Sequence, residues 1–320
     1  MRVAFALQAK EFDAVGRVTR LLCVDGGGIR GIIPTHILHR IETSQNLCLH
    51  KQFDMIAGTS TGSIIAAAIA CGYRPEIVEQ LYREHVEAIF TPRTSFMPTK
   101  FAQSCIHSIY KSELLQEVLQ RYFGDRRMGE VTVPLLLPVT DIGRGEVHVF
   151  KSGYSTESNP DLDVPVSRAI LASCASPIFF CPIKVGDALI SDGGLWAYNP
   201  ALLAVMEAGR ALHADMADLR VLTMGTGRAR WYYEVEEKKR WGVVTGWEGG
   251  KLIEMLVALH ANATLHYLNQ LLRPEQILRI DFDTEQQTEL DDCMAVNALM
   301  QQANAEYARF SPQIEDFFSQ

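Results

Sequence analysis

The chain has 320 residues, 48% of them hydrophobic and 21% charged, with a formal net charge of −8. That size fits one domain, close to the ~250 to 300 residues at which single cores stop growing. The acidic balance excludes broad binding to the backbone of DNA or RNA, which needs a basic surface. It leaves room for a small nucleotide pocket, and any contact with anionic lipid must use a local basic and aromatic patch.

No stretch approaches the ~18 to 20 uninterrupted apolar residues of a membrane-spanning helix; the longest candidate is Ile64 to Cys71. Val3 to Leu7 is shorter than a signal-peptide core, and Lys10, Glu11 and Asp13 follow it, so a cytoplasmic location is expected. Seven cysteines without regular spacing read as buried thiols in a reducing compartment. No C-x-x-C, H-E-x-x-H or EF-hand pattern is present, so neither a metal nor a cofactor is expected. His36 and His39 share a helix face and read as a packing or surface pair.

In chain order, residues 1–19 form a polar N-terminal segment. Leu21 to Val24 then reads as a strand that runs into Asp25-Gly26-Gly27-Gly28-Ile29-Arg30-Gly31 and a helix ending near Gln45. Phe53 to Ala57 reads as a second strand, entering the turn Gly58-Thr59-Ser60-Thr61-Gly62, and Ser63 to Ala70 as the apolar helix leaving it. Pro75 opens a further helix in which Ile77, Val78, Leu81, Tyr82 and Val86 recur at three- and four-residue spacing. Thr91 to Thr99, with Phe96 and Met97, is a lid candidate.

Val133 to Asp141 is expected as a buried strand whose limits are blurred by Pro134 and Pro138, paired with Glu146 to Lys151. Ala188 to Ser191 leads into Asp192-Gly193-Gly194, and Leu219 to Met224 into Gly225-Thr226-Gly227, with helices after both. From Leu252 onward the pattern is mostly helical. Strands alternating with helices predict an α/β protein with three α/β/α layers around a mainly parallel sheet. The expected division is one domain over 20–310 and a tail over 311–320.

The turn at Ser60 has the form G-x-S-x-G, in which Gly58 and Gly62 let a strand bend sharply into a helix and leave the serine hydroxyl exposed at the tip. Gly26, Gly27 and Gly28 offer bare backbone N–H groups where a strand meets a helix N-terminus, a setting that favours an anion. Arg30 orients that loop or meets a lipid phosphate, or else pairs with a nearby carboxylate. The loop also matches the dinucleotide fingerprint Gly26-x-Gly28-x-x-Gly31. That reading wants an acidic residue near the end of the second strand, whereas Asp54 lies at its start.

These motifs, in this order, resemble the patatin-like phospholipase family. Asn199-Pro200 after Asp192-Gly193-Gly194, the run Ser173-Cys174-Ala175-Ser176-Pro177, Gly225-Thr226-Gly227 and Leu278-Arg279-Ile280-Asp281 extend the likeness over roughly residues 20 to 300. Ser63 and Tyr198 depart from the common pattern without removing a catalytic group. The resemblance implies a Ser-Asp dyad of Ser60 and Asp192, an oxyanion hole from Gly26 to Gly28, and Arg30, Gly31, Gly58, Gly62, Gly193 and Gly194 in support. A triad with His213, His260 or His266 is the rival; none lies in a recognisable catalytic context, and His260 and His266 read as packing or surface residues. Asp141 and Asp187 are alternative acids, but neither carries the D-G-G turn.

The chain is also similar to bacterial patatin-like phospholipases switched on by cyclic oligonucleotides in anti-phage signalling. That likeness implies phospholipid substrate at the inner face of the membrane, a cyclic oligonucleotide activator, and room for a homo-oligomer. An ungated lipid acyl hydrolase or transacylase is the near alternative, and a non-catalytic ligand-binding protein the distant one. Trp231, Tyr232, Tyr233, Trp241 and Trp247 around Lys238-Lys239-Arg240 suit either a lipid interface or a fold anchor.

Overall fold

A computed structural model describes residues 17–93, 106–155, 159–230, 232–233, 240–242, 245–247, 249–284 and 288–319. Its strands are β1 (Thr19–Val24), β2 (Met55–Gly58), β3 (Leu135–Asp141), β4 (Glu146–Lys151), β5 (Ile183–Val185), β6 (Ala188–Asp192), β7 (Leu219–Met224), β8 (Arg228–Ala229), β9 (Ile277–Ile280) and β10 (Asp283–Thr284). The α-helices are α1 (Ile32–Ser44), α2 (Thr61–Ala70), α3 (Pro75–Ile89), α4 (Ser112–Phe123), α5 (Val166–Ser173), α6 (Gly194–Ala197), α7 (Ala201–Ala211), α8 (Gly249–Leu271) and α9 (Val296–Ser319). None is long and apolar enough to cross a membrane among the described residues.

Successive strand residues point to opposite faces, and here both faces are covered. Leu22, Val24, Ile56, Leu137 and Leu222 enter a core shared with α1 to α5 and α9. Leu21, Cys23, Met55, Ala57 and Val221 enter a second core closed by α7 and the end of α8. Strands buried on both sides therefore read as unbroken apolar runs rather than alternating ones. This is the expected three-layer arrangement, with β9, β7, β1, β2 and β3 as its parallel part and β4, β6 and β5 antiparallel.

Strand β3 is the piece that positions the site. β4 occupies one of its edges from Leu136 to Asp141. The other edge is shared: β2 pairs only with Leu135 and Leu136, and β6 only with Val139, Thr140 and Asp141. Because β2 is parallel to β3 and β6 antiparallel, their carboxyl ends face each other across a gap at Leu137 and Pro138. Pro138 has no N–H to donate, and it stands where that edge has no partner strand, so the proline does not interrupt the sheet.

Three features differ from the sequence reading. Gly225-Thr226-Gly227 leads into the two-residue strand β8, which pairs with β10, before any helix begins. Ile277–Ile280 is an edge strand beside β7, where the mixed composition hid a strand between two helices. Residues 311–319, expected as a tail, continue α9 through Pro312 and bury Ile314 and Phe317. Most of the lid candidate, including Phe96 and Met97, lies outside the described residues, as do Trp231, Lys238 and Lys239.

Candidate active site

Where β2 ends, Ser60 adopts φ 54° and ψ −128°, a left-handed conformation that costs a non-glycine residue on the order of 1–3 kcal/mol. The surroundings hold it there. Its N–H donates to Ser173 Oγ at 3.1 Å, and Ser173 Oγ donates to Pro138 O at 2.9 Å, so the turn is tied into the gap of β3. Thr59 Oγ1 donates to Ala197 O at 2.6 Å. A Cβ at Gly62 would overlap the carbonyl oxygens of Val24 and Asp25, so α2 crosses β1 at a separation only glycine permits. Gly58 lies against Gly62 and Ala66 in the same crossing.

Asp192 closes β6 from the opposite side of the gap. The turn at Gly193 passes over Pro138 O, and Gly194 N–H donates to Asp192 Oδ1 at 2.6 Å. Burial pushes the Asp192 carboxyl up to about 6, opposed by that N–H and by the neighbouring Ser60 hydroxyl. Serine and aspartate thus meet because two strands run head to head. No imidazole is among the hydrogen-bond partners of Asp192 in the described residues. His213 sits at an exposed turn with φ 53°, and His266 pairs with Gln270 on the surface. His260 lies in the cavity wall with Nδ1 buried and without a hydrogen-bond partner among the described residues, a placement its helical spacing did not reveal.

The glycine loop is fixed from several sides. Gly26 N–H donates to Tyr198 O at 3.2 Å and so is engaged, while Thr226 Oγ1 donates to Gly26 O at 2.8 Å. Gly28 takes φ 57° against the carbonyl of Leu290, which also accepts Ile29 N–H at 2.8 Å. Gly31 packs on the Tyr82 hydroxyl. Arg30 is buried: its Nε donates to Gly27 O at 3.3 Å, and its Nη1 has no partner among the described residues.

Behind the loop lies a charge network that the sequence did not disclose. Arg279 on β9 donates to both oxygens of Asp25, at 3.0 and 2.6 Å, and to Asp281 at 2.7 Å and Thr223 at 2.9 Å. Asp25, Gly225 and Asp281 follow β1, β7 and β9, so the carboxyl ends of three parallel strands are pinned together. A lone arginine in the apolar run Ile277-Leu278-Arg279-Ile280 was the available signal, since a charge inside a strand must be paired if buried.

Ser60, Asp192, Gly27, Gly28 and Arg30 share one cavity of about 430 Å³. Leu81, Val86, Ile89, Phe90, Leu115 and Phe180 give it apolar walls, chemistry suited to an acyl chain. The one metal-ligand cluster among the described residues lies outside this lining. There His36 and His39 Nδ1 contact Glu79 Oε2 at 2.9 and 3.0 Å, while Arg83 binds Oε1 at 3.0 Å. Glu79 is therefore satisfied by the chain's own groups.

Fold and motifs together define an α/β ester hydrolase of the serine type. A family model described as patatin-like phospholipase matches residues 22–205, and the chain belongs to that family. It is 27% identical over 310 residues to the cUMP-AMP-activated phospholipase of Escherichia coli, covering 94% of each chain. To the cGAMP-activated phospholipase of Escherichia coli strain TW11681 it is 29% identical over 271 residues, covering 79% of this chain and 75% of that one. Patatin-like protein 1 of Arabidopsis thaliana is 26% identical over 314 residues, covering 84% of this chain and 75% of that one.

Proposed function

We propose that this protein is a phospholipase A that cleaves membrane phospholipid esters through Ser60 and Asp192, at the inner face of the membrane and under control of a cyclic oligonucleotide in antiviral defence. The observation that carries the catalytic reading is the Ser60 hydroxyl beside the buried Asp192 carboxyl, both lining one largely apolar cavity. Asp192 takes the serine proton as Oγ attacks the ester carbonyl. Gly27 and Gly28 N–H receive the oxyanion, Gly26 N–H being engaged by Tyr198. Collapse releases the lysolipid, whose oxygen takes the proton from Asp192. Water then attacks the acyl-serine with Asp192 as base, freeing the fatty acid and restoring Ser60.

The buried Nη1 of Arg30 suits the lipid phosphate, since a charged donor inside a cavity gains most from an anionic partner. The control reading rests on similarity to the two nucleotide-activated phospholipases. A ligand with higher affinity for the active form would raise the active population by its differential binding, and a homo-oligomer is compatible with such control. The experiment is fatty-acid release from phospholipid vesicles by wild type, Ser60→Ala and Asp192→Asn, with and without cyclic di- and trinucleotides. Release that needs both residues and one nucleotide supports the whole reading. Release without nucleotide leaves an ungated hydrolase, and equal release by Ser60→Ala overturns the dyad.

A further inference from the structure

One face of α8 is largely apolar and exposed. Ile253, Leu256, Leu259, Tyr267 and Leu271 are 45 to 53% exposed. At about 100° per residue they fall, with exposed Ala263 and with the uncharged polar residues His260 and Gln270, inside an arc of about 120° along about 27 Å of helix. From Met255 to Leu271 the helix carries no Asp, Glu, Lys or Arg. The opposite face is accounted for, because Ala261 and Leu268 are buried against the body of the protein.

This stripe is continuous with the mouth of the cavity. Ile253 and Leu256 line it, together with Ile178 and Leu195, which are 40% and 45% exposed. Ile178 is held at φ 76°, a conformation that a β-branched residue adopts only against strain, and the result is an isoleucine side chain at the rim. At the amino end of α8, Tyr233, Trp241 and Trp247 form a ring cluster with centroids 5.1 to 5.8 Å apart. Trp241 is 47% exposed, and Lys251 Nζ lies 5.6 Å over the Tyr233 ring.

We propose that this face of α8 is the surface by which the protein docks on a lipid bilayer, lying in the plane of the interface with its aliphatic residues among the acyl chains. The proposal rests on the phospholipase reading and names its membrane-facing side. A charge-free stripe with rings and a cation at one end matches the layering of an interface, where aliphatics sit deep and Trp, Tyr and Lys lie at headgroup level. The occupant follows from the shared rim. A bilayer seated on the stripe presents its lipid at the cavity mouth, whereas a second copy of the chain seated there would cover it. Local apolar insertion also explains how a protein of net charge −8 can meet a surface that repels it as a whole.

Leu259 and Leu271 carry the test because both are exposed and neither lines the cavity. Full-length Ser60→Ala protein, with and without the Leu259→Glu/Leu271→Glu pair, is sedimented with vesicles of phosphatidylethanolamine and phosphatidylglycerol, with and without cyclic dinucleotides. In parallel, the pair in the wild-type background is assayed on those vesicles and on a soluble short-chain ester, and its mass in solution is measured. The expected result is a loss of about tenfold or more in vesicle binding and vesicle hydrolysis, with soluble-ester turnover and mass unchanged. Undiminished vesicle binding by the pair overturns the proposal, as does failure of the parent Ser60→Ala protein to bind vesicles in any condition. A fall in mass with vesicle binding intact assigns the stripe to a second copy. Failure of the wild type to cleave either ester while the stripe still governs vesicle binding overturns the enzymatic reading and leaves the docking surface standing.

Discussion

Two acidic residues end strands beside the same cavity, and burial pushes both carboxyls up to about 6. Asp25, after β1, is opposed in this by Arg279, which grips both of its oxygens. Asp192, the last residue of β6, is opposed among the described residues only by the Gly194 N–H and a neutral serine hydroxyl. Equal depth therefore leads to different chemistry. A carboxylate clamped by a guanidinium is a fixed charge whose proton has no route to a substrate. A carboxylate facing a hydroxyl has a proton to accept and no permanent cation to resist its protonation. On the proposed reading the partner, rather than the degree of burial, separates a brace from a base.

The sharpest way to break this contrast is to neutralise each acid. Asp192→Asn is expected to lower fatty-acid release by about 10³-fold, within the usual range for loss of a general base, while Ser60→Ala falls at least as far. Asn at 192 keeps an acceptor for Gly194 N–H, so circular dichroism should show the fold intact. Arg279→Met should act on stability instead: stranding Asp25 in the interior costs about 3–5 kcal/mol, read as a lower urea midpoint. Removing Asp25 as well, as Asn, should recover part of that loss. A stable Arg279→Met protein with activity lost would make the clamp catalytic and erase the distinction.

The pH dependence sharpens it further. In the proposed mechanism Asp192 acts as its ionised form, so kcat/KM should rise about tenfold per unit below a limb near 6 and level off above it. The sign for stability is opposite. Its folded pKa, about 6, lies above the ordinary 3.8, so the folded state binds more protons, and this group's contribution falls as pH rises from about 4 to 6. The melting temperature of Asp192→Asn relative to wild type should therefore climb through that window. The smallest effect belongs to Thr226→Val, which removes the hydrogen bond to Gly26 O and the longer one shared with the Tyr198 hydroxyl, each worth about 1 kcal/mol, and should slow hydrolysis only several-fold.

The sequence made the serine turn, the glycine loop and the D-G-G turn legible because each depends on local backbone geometry, and glycine marks such places residue by residue. The alternation of β1, α1, β2 and α2 was legible for the same reason: period and turn chemistry are local. What stayed hidden depends on distance. Arg279 and Asp25 are 254 positions apart, and no spacing rule joins them. The roles of Ser173 and Pro138 depend on which strand ends where, and the engagement of Gly26 N–H depends on the Tyr198 carbonyl. Strand β9 was missed because an edge strand with an arginine in it has neither an unbroken apolar run nor a helical period.

The gap on β3 imposes a parity on the chain. Ser60 is delivered by β2 and Asp192 by β6, each at the end of a ladder whose side chains alternate between faces. One residue added within 188–191 would turn Asp192 to the wrong side of the sheet. Two would restore the side but drive it about 6.6 Å into the opposing strand end. Insertions in α8 or the surface loops meet no such arithmetic. Length variation is thus forbidden in these two short strands by geometry alone, so their residue count is as much a part of the site as the two side chains they carry.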